Sequence, residues 1–209
     1  MNWRVLLPFR SLGAGPVLRG KGVLLRPPVM DDFKAWAALR QSSRAFLEPW
    51  EPVWSDHDFT KLSFRQRLKI YREWAKQDRS HSFFIFKINT NELIGAINLS
   101  NIRRGAEQSA STGYWVGERF TRQGHMFEAL QLLLVFAFEE LNLHRVEAAC
   151  LPRNHPSQAL LEKSGFVREG YAKSYIKIAD QWEDHVLFAR LKISNSESQS
   201  FISAAKIAP

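Results

Sequence analysis

The stretch GYWVGERFTRQGHMFEAL, residues 113–130, decides the fold. Gly113 to Val116 reads as the end of a strand, and Gly117 to Gly124 as a charged loop between two glycines. From there Ala129, Leu130, Leu133, Leu134, Ala137, Phe138 and Leu141 recur at the spacing of a helix with a broad buried face. Backbone N–H groups at a helix amino terminus lack intrahelical partners and carry partial positive charge. Such a loop can hold a pyrophosphate, with Gly124 permitting close approach and Arg119 and Arg122 adding charge. It is neither a Walker loop nor a dinucleotide fingerprint.

Downstream, Val146 to Leu151 reads as a short strand running into PRNHPSQALLEKSGF, residues 152–166. Pro156 suits a first helical turn and Gly165 a position just past a helix end, so Asn154 to Ser164 is a compact helix. Asn154 and Ser157 either cap that helix or present an amide and a hydroxyl at the open end of the strand. Phe166 to Lys192 reads as two strands turning near Asp180. Upstream, Ser82 to Asn89 and Leu93 to Ile102 flank a Thr90-Asn91 hairpin turn, and Gly22 to Arg26 is a further strand. A helix starts at Asp31, expected as its N-cap, with Phe33, Trp36 and Ala37 on one face. The prolines of FLEPWEPVW, residues 46–54, forbid continued helix, and Phe64, Leu68, Tyr71 and Ala75 then mark an amphipathic one. Strands and helices mix along one chain: an α+β or three-layer α/β pattern with a largely antiparallel sheet.

The chain has 209 residues, 45% hydrophobic and 12% aromatic, enough for one sizeable core. Its longest strongly apolar stretch, Ala129 to Phe138, is interrupted by Gln131 and falls far short of the roughly 20 residues of a membrane span. MNWRVLLPFR has too short an apolar run for a secretory signal, so a cytoplasmic location is expected. Cys150 is the single cysteine, and His125, His144, His155 and His185 lack metal-ligand spacing, so no disulfide and no metal is expected. The net charge of +8 favours an acidic partner such as RNA, a ribosome or a phosphate-rich cofactor. Arg4, Arg10, Arg19, Lys21 and Arg26 gather near the amino terminus, and Lys61 to Arg79 is again basic; both sets also read as a solvated surface. Residues 1–16 are expected to be an extension and the Ser-rich residues 193–209 a flexible tail.

The glycine-arginine loop and the Asn-x-x-Ser helix, in this order, resemble the acyl-CoA-binding core of the GNAT acetyltransferases over residues 17–192. That resemblance implies an α+β sheet of about six or seven strands, mostly antiparallel and splayed in the middle, with about four helices. It implies acetyl-CoA as co-substrate. Trp115 and Val116 are then expected to meet pantetheine, and Arg122, Gln123, Gly124, His125, Met126 and Phe127 the phosphates. Asn154 and Ser157 are expected at the sulfur end, with Ser157 serving the departing thiolate. Thr121 and Met126 depart from the family pattern, and Leu161 stands where many members place a tyrosine acid, which moves that role toward Ser157.

Further stretches, FLEPWEPVW, SNIRRG, GHMFEAL, LHRVEAACLPRNHPS and EGYAKSYIKIADQWEDHVL, resemble the ribosomal-protein alanine N-acetyltransferase branch of that family. The acceptor this implies is the N-terminal amine of small-subunit ribosomal protein five, alanine first. Glu51 and Glu147 are candidate bases acting through water, and Trp50, Glu51, Trp54 and Tyr175 are expected to line the acceptor pocket. A polyamine, an antibiotic amine or a lysine side chain is the alternative acceptor. Ribosome assembly through bound rRNA is the alternative role.

Overall fold

The computed structural model describes residues 15–192. The expectations for the first fourteen residues, Arg4 and Arg10 among them, and for the tail at 193–209 lie outside the described residues. One eight-stranded sheet runs in the order β1-β2-β3-β4-β5-β6-β8-β7. Its strands are β1 (Leu18–Arg19), β2 (Val23–Arg26), β3 (His81–Lys87), β4 (Leu93–Arg103), β5 (Ser109–Val116), β6 (Arg145–Cys150), β7 (Val167–Ile178) and β8 (Gln181–Leu191). Every neighbouring pair is antiparallel except β5 and β6. The strand beyond the six or seven expected is β1, whose two residues are too few to show any periodicity.

Five α-helices pack on the sheet: α1 (Phe33–Ser42), α2 (Arg44–Leu47), α3 (Lys61–Lys76), α4 (His125–Val135) and α5 (His155–Lys163). The helix beyond the four expected is α2, a single turn that gives way to a 3-10 turn at Glu48–Trp50, where Pro49 is tolerated. Asp31 is not the cap of α1. Asp32 holds that position, and its carboxylate accepts from Val29 N at 2.8 Å and forms a buried two-pronged pair with Arg26 at 2.8 and 2.6 Å. The demand of a buried guanidinium for a carboxylate thus decides which aspartate turns inward.

The strands sort the helices into layers because successive side chains alternate between faces. Phe84 meets Phe64 of α3 at 6.3 Å between ring centres, whereas Phe83 meets Phe136, just past α4, at 5.6 Å. Helices α1 and α3 therefore cover one face and α4 the other. The α4 helix runs on through a π-turn, Phe136–Glu140, so Phe136, Ala137 and Phe138 stay buried. Leu130, Leu133, Ala129, Phe83, Ile85 and Ile97 form the fully buried heart beneath it.

Gly95 sits where β4 passes closest to β5. A Cβ there lands on the Trp115 carbonyl oxygen and crowds Val116 Cα. Gly95→Ala is expected to lower the unfolding free energy by about 1–3 kcal/mol, read from urea unfolding curves.

Candidate active site

The parallel strands β5 and β6 share only the pairs Ser109↔Arg145, Ala110↔Val146 and Ser111↔Glu147. Beyond them no ladder joins residues 112–116 to 148–150, and a wedge opens in the middle of the sheet. A bulge in β4 between Ser100 and Arg103, with Asn101 at φ 51°, adds local twist beside the point of divergence.

At one mouth of the wedge lies the start of α4. Gly124, at φ 80°, is its N-cap, and a Cβ there meets nothing within 4 Å. The first amides of α4 lack intrahelical partners and no side chain caps them. Two side chains of the turn fold back onto its own backbone: Gln123 Nε2 donates to the Arg119 carbonyl, and Thr121 Oγ1 to the Glu118 carbonyl. Arg119 turns away to Glu92 at 2.6 Å, while Arg122 is exposed with φ 58°. Burial, then the nearby Lys87, holds the His125 imidazole below its ordinary value, and its Nε2 finds no partner among the described residues. Met126 is buried, and Lys163 sits 4.9 Å from the Phe127 ring centre.

At the far side of the wedge α5 begins. Asn154 Oδ1 caps it by accepting from Ser157 N at 3.1 Å, so the capping reading of Asn154 is realised. Ser157 Oγ lies 2.8 Å from the hydroxyl of Tyr114 on β5, a hydrogen bond that spans the opening. Cys150, the last residue of β6, has a thiol that burial pushes up to about 11. Leu161 is fully buried one helical turn later.

Trp115 alternates with Tyr114 and turns its ring to the opposite face, where Arg40 of α1 lies 4.8 Å from its centre. Arg40 also stacks 3.9 Å over Trp54 and grips both oxygens of Glu51 at 2.9 and 2.5 Å. Trp54 Nε1 donates to the same carboxylate at 2.9 Å. The structure thus brings Glu51, Trp54 and Trp115 together around a guanidinium. The Glu51 carbonyl accepts from Ala179 N at 3.1 Å, tying this loop to the β7–β8 turn. Trp50 lies in the short turn before Glu51, and Tyr175 stands on β7 against His185, ring centres 5.8 Å apart. Glu147 projects at the closed end of the wedge, held by Arg103 at 2.6 Å and Arg145 at 2.8 Å. Tyr114, Arg40, Arg103 and Arg145 were not singled out in the sequence; the alternation in Gly-Tyr-Trp-Val put Tyr114 and Trp115 on opposite faces, but nothing local named their partners.

A mixed sheet with one splayed parallel joint, an amide-rich helix start and a serine at the opening defines an acyl-group transferase of the GNAT type. Residues 23–167 match the Acetyltransferase (GNAT) domain, and the chain belongs to that family and is an N-acetyltransferase. It is 38% identical over 175 residues, 84% of this chain and 97% of the relative, to "Probable N-acetyltransferase YjcK" of Bacillus subtilis (strain 168). It is 37% identical over 163 residues, 77% of this chain and 84% of the relative, to the ribosomal protein uS5-alanine N-acetyltransferase of Escherichia coli (strain K12). The solved structure of Mycobacterium smegmatis RimJ in complex with CoA-disulfide superposes with a TM-score of 0.78 at 33% identity, covering 88% of this chain and 90% of that one.

Burial raises the Glu147 carboxyl, but hydrogen bonds from Arg145 and Arg103 outweigh it and leave the group below its ordinary 4.5. A carboxyl depressed in the folded state contributes stability that is complete above its unfolded value and lost as pH falls through the folded one. Unfolding midpoints in urea from about pH 6 down to about pH 3 are expected to fall less steeply for Glu147→Gln than for the parent chain.

Proposed function

We propose that this enzyme transfers the acetyl group of acetyl-CoA to the N-terminal α-amine of small-subunit ribosomal protein uS5, with alanine first, in the cytoplasm. The carrying observation is the open wedge between β5 and β6, with the uncapped amides of α4 at one end and the Ser157 hydroxyl at the other. The relative at 37% identity and the CoA-containing neighbour at 33% support the choice of donor and acceptor.

The residues present fit acetyl-CoA. The amides from Gly124 to Phe127, with Arg122, Gln123 and His125 beside them, would hold its diphosphate. The unpaired edge of β5 at Trp115 and Val116 would hold pantetheine, and Met126 and Asn154, at the starts of α4 and α5, would meet the donor as well. The bound donor supplies an activated thioester.

Ser157 Oγ donates a hydrogen bond to the departing sulfur, a charge-assisted contact stronger as negative charge develops. On the other face Arg40, Glu51, Trp54 and Trp50 wall the acceptor side, and Tyr175 flanks it from β7. A free α-amine has a pKa of about 7.7–8.0, so roughly a tenth is neutral at pH 7, whereas a lysine amine near about 10.4 is neutral in well under about a thousandth. That chemistry favours a chain terminus over a lysine and asks little of a base. Glu147, held low by two guanidiniums, accepts a proton poorly, and both oxygens of Glu51 are already engaged by Arg40 and Trp54. Attack by the fraction of amine that is already neutral, its proton leaving to water, fits both facts.

A synthetic peptide carrying the uS5 amino terminus is expected to gain one acetyl group by intact mass, while spermidine gains none; modification of spermidine or of a lysine alone would refute the assignment. Ser157→Ala is expected to lower kcat about 100-fold with little change in the Kd for CoA by calorimetry. Gly124→Ala, forced into a left-handed conformation that costs a side chain about 1–2 kcal/mol, is expected to weaken CoA binding about tenfold in the same titration.

A second, compatible reading is contact with rRNA. Lys61, Arg65, Lys69, Arg72 and Lys76 recur along the exposed side of α3, and none has an ion-pair partner among the described residues. Phosphate contacts predict ribosome co-sedimentation that falls steeply with added salt and persists in Ser157→Ala.

A further inference from the structure

Tyr114 reaches from β5 across the wedge to α5, and its hydroxyl stands 2.8 Å from Ser157 Oγ. Either oxygen could donate, and the proton count decides between them. Tyr114 is half-buried and packs against the core, and among the described residues its hydroxyl has no partner besides Ser157. Were Ser157 the donor, the phenol proton would be left without an acceptor among the described residues, a costly arrangement. With Tyr114 donating, one lone pair of Ser157 is filled and its own proton is free for a different acceptor. That proton is left free at the place where the two strands part.

We propose that Tyr114 is a positioning residue for the leaving thiolate: by donating to Ser157 Oγ it orders the serine so that the Ser157 O–H points at the sulfur of the donor. Resting on the acetyl-CoA reading above, this gives the fold a tyrosine hydroxyl in the mechanism although Leu161 occupies the helical position where many family members carry one. The phenol comes from the opposite wall of the wedge and acts through the serine. Burial drives the Tyr114 hydroxyl well above the usual phenol range, outweighing the hydrogen bond with Ser157, so it remains a protonated donor throughout the working pH range. No proton leaves Tyr114. The thiolate that departs when the acetyl C–S bond breaks is stabilised by the Ser157 O–H, and the proton given up by the amine goes to water.

The test uses CoA itself, so that it does not depend on which amine is the acceptor. Thiolate absorbance of the bound CoA, titrated against pH, gives the acidity of its thiol in the complex. Tyr114→Phe removes only the hydroxyl and keeps the ring. The bound thiol is expected to be about tenfold less acidic in Tyr114→Phe than in the parent chain, and Ser157→Ala to produce at least as large a change. The double variant is expected to equal Ser157→Ala alone, because the two hydroxyls act in series. A purely structural tyrosine would shift the unfolding midpoint and leave the thiol acidity alone. Unchanged acidity in Tyr114→Phe, or a loss that adds fully to that of Ser157→Ala, overturns the proposal. Should Tyr114→Phe unfold, 3-fluorotyrosine at position 114 keeps the ring and strengthens the donor, and the thiol is then expected to become more acidic; no change overturns the proposal. Absence of CoA binding to the parent chain by calorimetry overturns the donor site and this inference with it, a result distinct from altered acidity in a complex that forms.

Discussion

Three residue pairs hold β5 and β6 together, and the molecule depends on their stopping there. Both strands run the same way, so each delivers its following helix to the same end of the sheet. Helix α4 begins after β5 and α5 after β6, and their amino termini, the first with uncapped amides and both with the positive ends of their dipoles, converge on one opening. A longer ladder between the strands would close the opening and bury the hydroxyls of Tyr114 and Ser157 against each other with no room for a ligand. The wedge exchanges a few backbone hydrogen bonds for a preorganised slot, and the unsatisfied edge of β5 is what an extended ligand can pair with.

The two faces of that slot have different chemistry. Toward α4 and α5 the contacts are amides, hydroxyls and the Cys150 thiol, neutral groups suited to a diphosphate and a sulfur. Toward α1 the charged groups are already matched: Arg40 with Glu51, Arg103 and Arg145 with Glu147, Arg145 also with Glu169. These pairs are partly buried and shared among several side chains, so they fix loop positions more than they add stability. The grip of Arg40 on Glu51 and Trp54, with the Glu51 carbonyl bound to Ala179, joins the proline-rich loop to the β7–β8 hairpin and fixes that loop relative to the wedge. Helix α3 is the contrast. Its cations have no such partners among the described residues, and its net charge is left to solvent or to a polyanion.

Much of this was legible before any coordinates. The strand, loop and helix of residues 113–130, the capped helix at Asn154 and the hairpin near Asp180 follow from periodicity and turn chemistry, which are local. Where local signals were thin, the reading missed: a two-residue β1, a one-turn α2 and the choice of Asp32 over Asp31, which a guanidinium distant in the fold decides. The same holds at the site. Ser157 and Gly124 announce themselves by their place at helix starts, whereas Tyr114 and Arg40 look like ordinary strand and helix residues.

The sequence by itself determined the longer elements, their order and the starts of α4 and α5, because hydrogen-bonding needs and side-chain periodicity act within a few residues. Only the tertiary structure decided that β5 and β6 part after Ser111 and Glu147, that Tyr114 reaches Ser157, and that Glu51 is claimed by Arg40. Those contacts join residues 43 and 11 positions apart across separate elements, and which donor meets which acceptor depends on how whole layers pack.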